Sequence, residues 1–344
     1  MQATLTETRS NTVSAPTRIR PLGKAHGGAE LPRRAWTGIT ERGSLRALFL
    51  MLGVYRWLGR WAAIALLTPI VAYFFVTGGS ARRASLDYLR TLWATPGGRA
   101  SLGERPTWRH AFRHLYEFAE NIVDSMIVWS GDGDRIQIEE RGSEHLLELV
   151  RRGQGGILLS AHLGSSDMLR VLSKKTGIVL NVLSFTRHAA RINAFFDQLQ
   201  PGLRMRLIHF EPGSISVALE IKAAIARGEF VGILGDRVWE SERGRSVRAP
   251  FLGRRTSFPL GPFLLQAALG CPMLLSTCVR TGQGRYTAST EPFAPAGSVP
   301  RSERVKYAEE LARRYAATLE RECLRTPYQW FNFFDFWHDD AGRT

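Results

Sequence analysis

Cysteine is scarce in this chain of 344 residues. Cys271, Cys278 and Cys323 are the only three, and they lie far apart. A zinc site needs closely spaced Cys or His pairs, and none occurs; no disulfide framework is expected, and reduced, partly buried thiols are the simplest reading. No G-x-S-x-G nucleophile elbow, no P-loop and no G-x-G-x-x-G following a strand is present, so the familiar serine-hydrolase and nucleotide-phosphate loops are excluded. The N-terminus lacks the apolar core and small-residue cleavage site of a secretory signal. There is no internal repeat, and no break in composition after residue 105.

Basic charge, by contrast, is in excess. Lys and Arg total 46 against 31 Asp and Glu, a formal net charge of +15, while a hydrophobic content of 44% is ordinary for a globular protein. Such a surface favours anionic partners: acidic carrier proteins, anionic lipid headgroups or nucleic acid. Charge alone does not choose among these, and a solvated, partner-free surface stays open.

Residues 1–44 carry Thr, Ser, Gly, Pro and scattered Arg without apolar periodicity, and are expected to form a disordered basic tail. The character changes at Leu45. Within residues 45–80 an uncharged run, WAAIALLTPIVAYFFVTG, lies between Arg56 and Arg60 on one side and Arg82 and Arg83 on the other. Its length is near the lower limit of the roughly 20 residues that span a hydrocarbon core. Trp57, Trp61 and Tyr73 suit an interface, and Pro69 is expected to bend the helix. A membrane-associated helix is the favoured reading, with a buried core helix as the alternative; the nearly balanced flanks assign no orientation.

From residue 81 to 344 a single soluble domain is expected. Phe112, Leu115, Ala119, Ile122 and Met126 follow helical spacing, SGDGD (130–134) reads as a turn, and RIQIE alternates like a strand. SEHLLELVRRG predicts a helix with Ser143 as N-cap. Short apolar runs predict strands at 156–160, 178–185, 206–210, 230–234, 273–279 and 286–291, with helices at 167–175, 191–199, 214–227 and 302–325 between them. Strands alternating with helices imply an α/β fold, with a mixed, largely parallel central sheet flanked by helices.

Chemistry concentrates in GGILLSAHLGSSDMLRVLSKKTG (155–177). A buried strand ends at Ser160, and His162 follows where an open α/β sheet presents its ligand crevice. Gly164, Ser165 and Ser166 lead into a helix with Asp167 in its first turn. On one continuous helix, five residues would set His162 and Asp167 roughly 140° apart. With His162 in the loop, the Asp167 carboxylate can instead orient the imidazole as a general base. Amides near Gly164 and a nearby Arg are candidate oxyanion donors. A structural loop histidine beside a helix-start charge is the plain alternative, since the spacing alone is a weak signal.

His162 and Asp167 in this setting resemble the HxxxxD motif of the lysophospholipid acyltransferase superfamily, and the nearest branch looks like the lipid A late acyltransferases. SFTRHAARINAFFDQL (184–199), GEFVGILGDR (228–237) and RAPFLGRRTSFPLGPFLLQAALGCPMLLS (248–276) are similar to later family blocks and follow in the family's order. Two departures stand out: many lipid A enzymes have Glu where Asp167 stands, and Arg237 replaces the residue that usually follows the acid. The resemblance implies a fatty acyl transfer from an acyl carrier protein or acyl-coenzyme A thioester to a lipid or glycolipid acceptor, without metal or other cofactor. It implies a catalytic His162–Asp167 pair, with Gly164, Ser165, Arg187, Asp236 and Arg237 as substrate contacts. It also implies an anionic membrane surface as partner, at the cell inner membrane with the catalytic domain facing the cytoplasm. Two other classes stay open. One is a membrane-associated glycosyltransferase relying on Asp132 and Asp134. The other is a non-catalytic protein binding anionic lipid or nucleic acid, although no nucleic-acid module is recognisable.

Overall fold

A computed structural model describes residues 45–165, 168, 176–184, 205–209, 215–238 and 244–337. Among these, seven strands form one sheet in the order β1-β9-β8-β2-β5-β3-β4. They are β1 (Gln137–Arg141), β2 (Gly156–Ser160), β3 (Leu180–Ser184), β4 (Met205–His209), β5 (Phe230–Leu234), β8 (Met273–Gly282) and β9 (Arg285–Ala294). Strands β8, β2, β5, β3 and β4 run parallel to one another in that order. A tight hairpin turns β9 antiparallel to β8, and β1 adds parallel to β9. The sheet is therefore mixed but largely parallel, as its alternating pattern predicts.

Both faces of the central strands are buried, which is why GILLS and FVGIL read as unbroken apolar runs. Ile157, Leu159, Val231 and Ile233 join one core with α2 (Gly79–Ala94), α6 (Ile215–Ala226), α7 (Gly261–Leu269) and α8 (Arg304–Arg325). Leu158, Leu180, Phe230 and Leu274 join the other, with α1 (Leu45–Thr77), α4 (Trp108–Ile127) and α5 (Ser143–Arg151).

Three local features depart from expectation. Gly142, not Ser143, precedes α5, at φ 70°. A Cβ at Gly142 would meet the Thr290 carbonyl oxygen at 2.0 Å, so the chain can turn there only without a side chain. The bend in α1 falls at Gly59 (φ 80°), while the helix runs on through Pro69. The third departure is a separate hairpin of β6 (Ser246–Phe251) and β7 (Arg254–Pro259). It has no Asn-Gly or Asp-Gly at its tip; Leu252 occupies the left-handed region at φ 53°, an uncommon conformation for a bulky residue.

Helix α1 packs along α4 rather than standing apart. Met51, Leu52, Tyr55, Ala63, Leu67 and Val71 are buried, and Phe112, Leu115, Tyr116, Ala119 and Ile122 of α4 pack into the same core. Arg60 forms an ion pair with Asp124, which is fully buried and also accepts from the Tyr286 hydroxyl at 2.8 Å. Residues Leu50–Thr77 are long and apolar enough to cross a membrane by length and composition.

Candidate active site

Strands β2 and β5 are neighbours whose onward connections leave in opposite directions along the sheet, β2 towards β3 and β5 towards β8. Such a switch point opens a crevice beyond the carboxyl ends of the strands. Ser160 and Leu234 are register partners at those ends. His162 and Asp236 each lie two residues further on, so the sheet itself delivers them side by side. The His162 Nδ1 lies 2.8 Å from Asp236 Oδ1, and the His162 amide donates to Asp236 Oδ2 at 3.0 Å. The Trp330 indole N–H donates to the same Oδ2 at 3.0 Å. Asp236 is buried and acceptor-only, so Nδ1 carries the proton and Nε2 presents its lone pair.

The loop after β2 is stitched down on three sides. The Gly164 amide donates to the Gln329 carbonyl and the Phe331 amide to the His162 carbonyl, each at 2.8 Å. The Ser165 amide donates to the Cys278 carbonyl at 2.8 Å, and its hydroxyl lies 3.3 Å from that of Ser125 on α4. Asn121, also on α4, donates to the Gly164 carbonyl at 3.0 Å. Gly164 has φ 61°, and a Cβ there would come within 2.0 Å of the Cys278 carbonyl oxygen. The amides of Gly164 and Ser165 are thus engaged within the protein.

Burial lowers the His162 pKa below the usual histidine range, and the Arg237 charge lowers it further, against the opposing pull of Asp236. For Asp236, burial alone would raise the carboxyl. The His162 charge and hydrogen bond, Arg237 and the Trp330 donor outweigh it and hold the group well below the carboxylate range. The His162 side chain keeps 29% of its surface open, so the ring is gripped from behind yet reachable in front. Arg237 donates to the Phe331 carbonyl at 3.3 Å, and its guanidinium lies 5.3 Å from the Phe334 ring centroid.

Of the residues singled out in the sequence, His162 and Asp236 are in direct contact, Arg237 follows Asp236 in the chain, and Gly164 and Ser165 are buried in the loop after β2. Asp167 and Arg187 lie outside the described residues, as do the helices expected at 167–175 and 191–199 except for Met168. The alternative pair lies beyond α4 in helical backbone rather than a simple turn, Asp132 closing a π-helical turn (Val128–Asp132) and Asp134 in a 3-10 turn (Gly133–Arg135). Asp132 accepts from the Ser130 hydroxyl at 3.3 Å and lies 4.0 Å from Arg56. Sequence reasoning overlooked Trp330, His114, Asn121 and Ser125. The buried His114 donates from Nε2 to the Trp330 carbonyl at 2.9 Å, and its Nδ1 accepts from the Ser85 hydroxyl at 2.9 Å. A buried Trp or His signals that some partner exists, but the partner's identity is set only by the tertiary fold.

No curated protein matches the chain. The family profile described as bacterial lipid A biosynthesis acyltransferase matches residues 110–339, more than half of the chain, including β2, β5, the loop between β2 and Ser165, and the C-terminal segment holding Trp330. The chain therefore belongs to the bacterial lipid A biosynthesis acyltransferase family and is a lipid acyltransferase.

Proposed function

We propose that the chain moves a fatty acyl group from a thioester, on acyl carrier protein or coenzyme A, to a hydroxyl or amine of a lipid or glycolipid, with His162 as general base. The observation that carries this reading is the Nδ1 contact to Asp236 at the switch point, because it leaves Nε2 as the basic nitrogen. Nε2 takes the proton of the acceptor as its oxygen or nitrogen attacks the thioester carbon. The tetrahedral oxyanion collapses, the carbon–sulfur bond breaks, and the thiolate leaves with the proton from His162. Asp236 orients the ring and stabilises the transient imidazolium.

Since the Gly164 and Ser165 amides are engaged, the oxyanion falls to Arg237, and Gly164 and Ser165 shape the crevice floor beneath the substrate. Asp167 is assigned to the same catalytic unit as His162, and Arg187 to substrate contact, on the strength of the family pattern. The basic surface suits an acidic carrier protein and an anionic membrane, and the site would work at the inner membrane facing the cytoplasm. Residues 1–44 would act as a tail, 45–80 as the membrane-associated segment and 81–344 as the catalytic domain. Lipid mass spectrometry of cells with the parent protein and with His162→Ala tests the reading. One lipid species should gain an acyl chain only with the parent, and equal transfer by purified His162→Ala would refute the mechanism.

A further inference from the structure

The apolar run of α1 has two faces with different surroundings. Its inner face follows α4 antiparallel along its whole length. Arg60 pairs with Asp124, the Thr68 hydroxyl lies 3.3 Å from that of Tyr116, and the Phe75 and Phe112 rings meet at 5.4 Å. Beyond the bend at Gly59 its outer face carries Trp61, Ala65, Pro69, Tyr73 and Val76, all exposed and all apolar or amphipathic, and Trp57 and Leu58 just before the bend are exposed too. Trp57 is 90% and Trp61 74% exposed. No charged residue occurs between Arg60 and Arg82. An apolar helix with one face uncovered by protein is suited to lipid.

Crossing the bilayer is a different matter. A spanning α1 would carry its docked partner, α4, into the hydrocarbon over about 20 Å. But α4 exposes Arg109 and Arg113, and its far side holds Asn121 and Ser125 against the loop after β2 and His114 against the Trp330 carbonyl. It also pairs Glu117 and Glu120 with Arg280. Ionised groups of this kind do not enter the bilayer core beside a soluble sheet.

We infer that α1 does not span the membrane but lies along one leaflet, its outer face immersed and its inner face fixed to the catalytic domain. Trp57, Trp61, Tyr73 and the half-exposed Trp108 sit where amphipathic rings favour the headgroup level. Exposed Arg56, Arg83 and Arg109 lie near the two ends of the strip and suit anionic headgroups. The inference rests on the membrane-active acyltransferase reading, and adds that both ends of α1 stay on one side. Because α4 anchors the catalytic loop, the His162 crevice is then held at a fixed height beside that leaflet, where a lipid acceptor is met.

Cysteine labelling decides the point. Cys271, Cys278 and Cys323 are buried, and burial pushes the first two thiols up to about 11 and about 12, so they stay unreactive to maleimide. Full-length Ser44→Cys and Ser80→Cys are each exposed to a membrane-impermeant maleimide in sealed inverted and sealed right-side-out vesicles. Labelling of both from the same face is the expected result. Labelling from opposite faces overturns the inference and leaves the acyltransferase reading intact. Recovery of the protein in the soluble fraction also overturns it. Acyl transfer by the same variants in detergent reports on the acyltransferase reading separately. As a second measurement, Trp61→Ser with Tyr73→Ser should cut co-flotation with phosphatidylglycerol–phosphatidylethanolamine vesicles at least tenfold, and unchanged flotation would count against an immersed outer face.

Discussion

Replacing Asp236 by asparagine keeps the volume of the side chain and removes its charge. Three N–H donors converge on this carboxylate: the His162 amide and the Trp330 indole on Oδ2, and His162 Nδ1 on Oδ1. An asparagine satisfies the first two by placing its oxygen at the Oδ2 position. Its amide nitrogen then faces Nδ1, which must become the acceptor and push the ring proton to Nε2. The opposite rotamer sets an NH2 group against two buried donors, at about 1–3 kcal/mol for each lost bond. Either way the basic nitrogen that faces the acceptor is lost, together with the charge that stabilises the imidazolium. A tautomer reversal of this type costs about four orders of magnitude in kcat, on the order of 5 kcal/mol in the barrier. The assay is acyl transfer by purified, detergent-solubilised protein, with circular dichroism melts to establish that the variant folds. A folded Asp236→Asn within tenfold of the parent would refute the argument. Asp167→Asn run in parallel separates the two carboxylates, and activity lost there but kept in Asp236→Asn would give the orienting role to Asp167.

Arg237→Gln removes a charge that lowers the His162 pKa, so the imidazole should titrate higher and the acidic limb of kcat/KM should move to higher pH. The same variant should lose about 2–4 kcal/mol of transition-state stabilisation if Arg237 serves the oxyanion, and an unmoved limb with an unchanged rate would remove it from the site. Trp330→Phe keeps the ring against Tyr88, Phe251 and Phe336 but deletes one donor to Asp236, and should cost roughly 1–2 kcal/mol in a denaturation series. Gly164→Ala forces a Cβ onto the Cys278 carbonyl and should lower both melting temperature and kcat. Arg60→Met leaves the buried Asp124 without its cation and should destabilise by about 3 kcal/mol, read as a lower melting temperature.

Much of the fold was legible because its signals are local. GILLS and FVGIL announce themselves by composition, and the structure places strands on those residues. The runs predicted at 178–185 and 206–210 differ from β3 and β4 by only a residue or two at their ends. The β6–β7 hairpin escaped notice because its turn relies on Leu252 in a conformation that sequence preference disfavours. For the site, the loop position of His162 was readable, and so was the placing of Asp236 at a second strand end. That these two ends are adjacent follows from strand order, which depends on long-range packing. The contact of Trp330 with Asp236 spans 94 residues and has no local signature. Packing also alters the meaning of the apolar N-terminal run. Removing residues 1–80 would uncover Phe112, Leu115, Tyr116, Ala119 and Ile122 on α4, so aggregation rather than a clean soluble domain is the expected outcome.

The stitching of residues 329–331 onto the catalytic loop has a temporal side. His162, Gly164 and Asp236 are all synthesised long before Gln329, Trp330 and Phe331, yet their final geometry uses all three of these late residues. A nascent chain still held by the ribosome at this point has the base and its carboxylate but not the clamp that fixes them. On the proposed mechanism, competence arrives only once residues 329–331 have joined the loop after β2, and a chain stopped at Pro327 should be inert however well its sheet has formed.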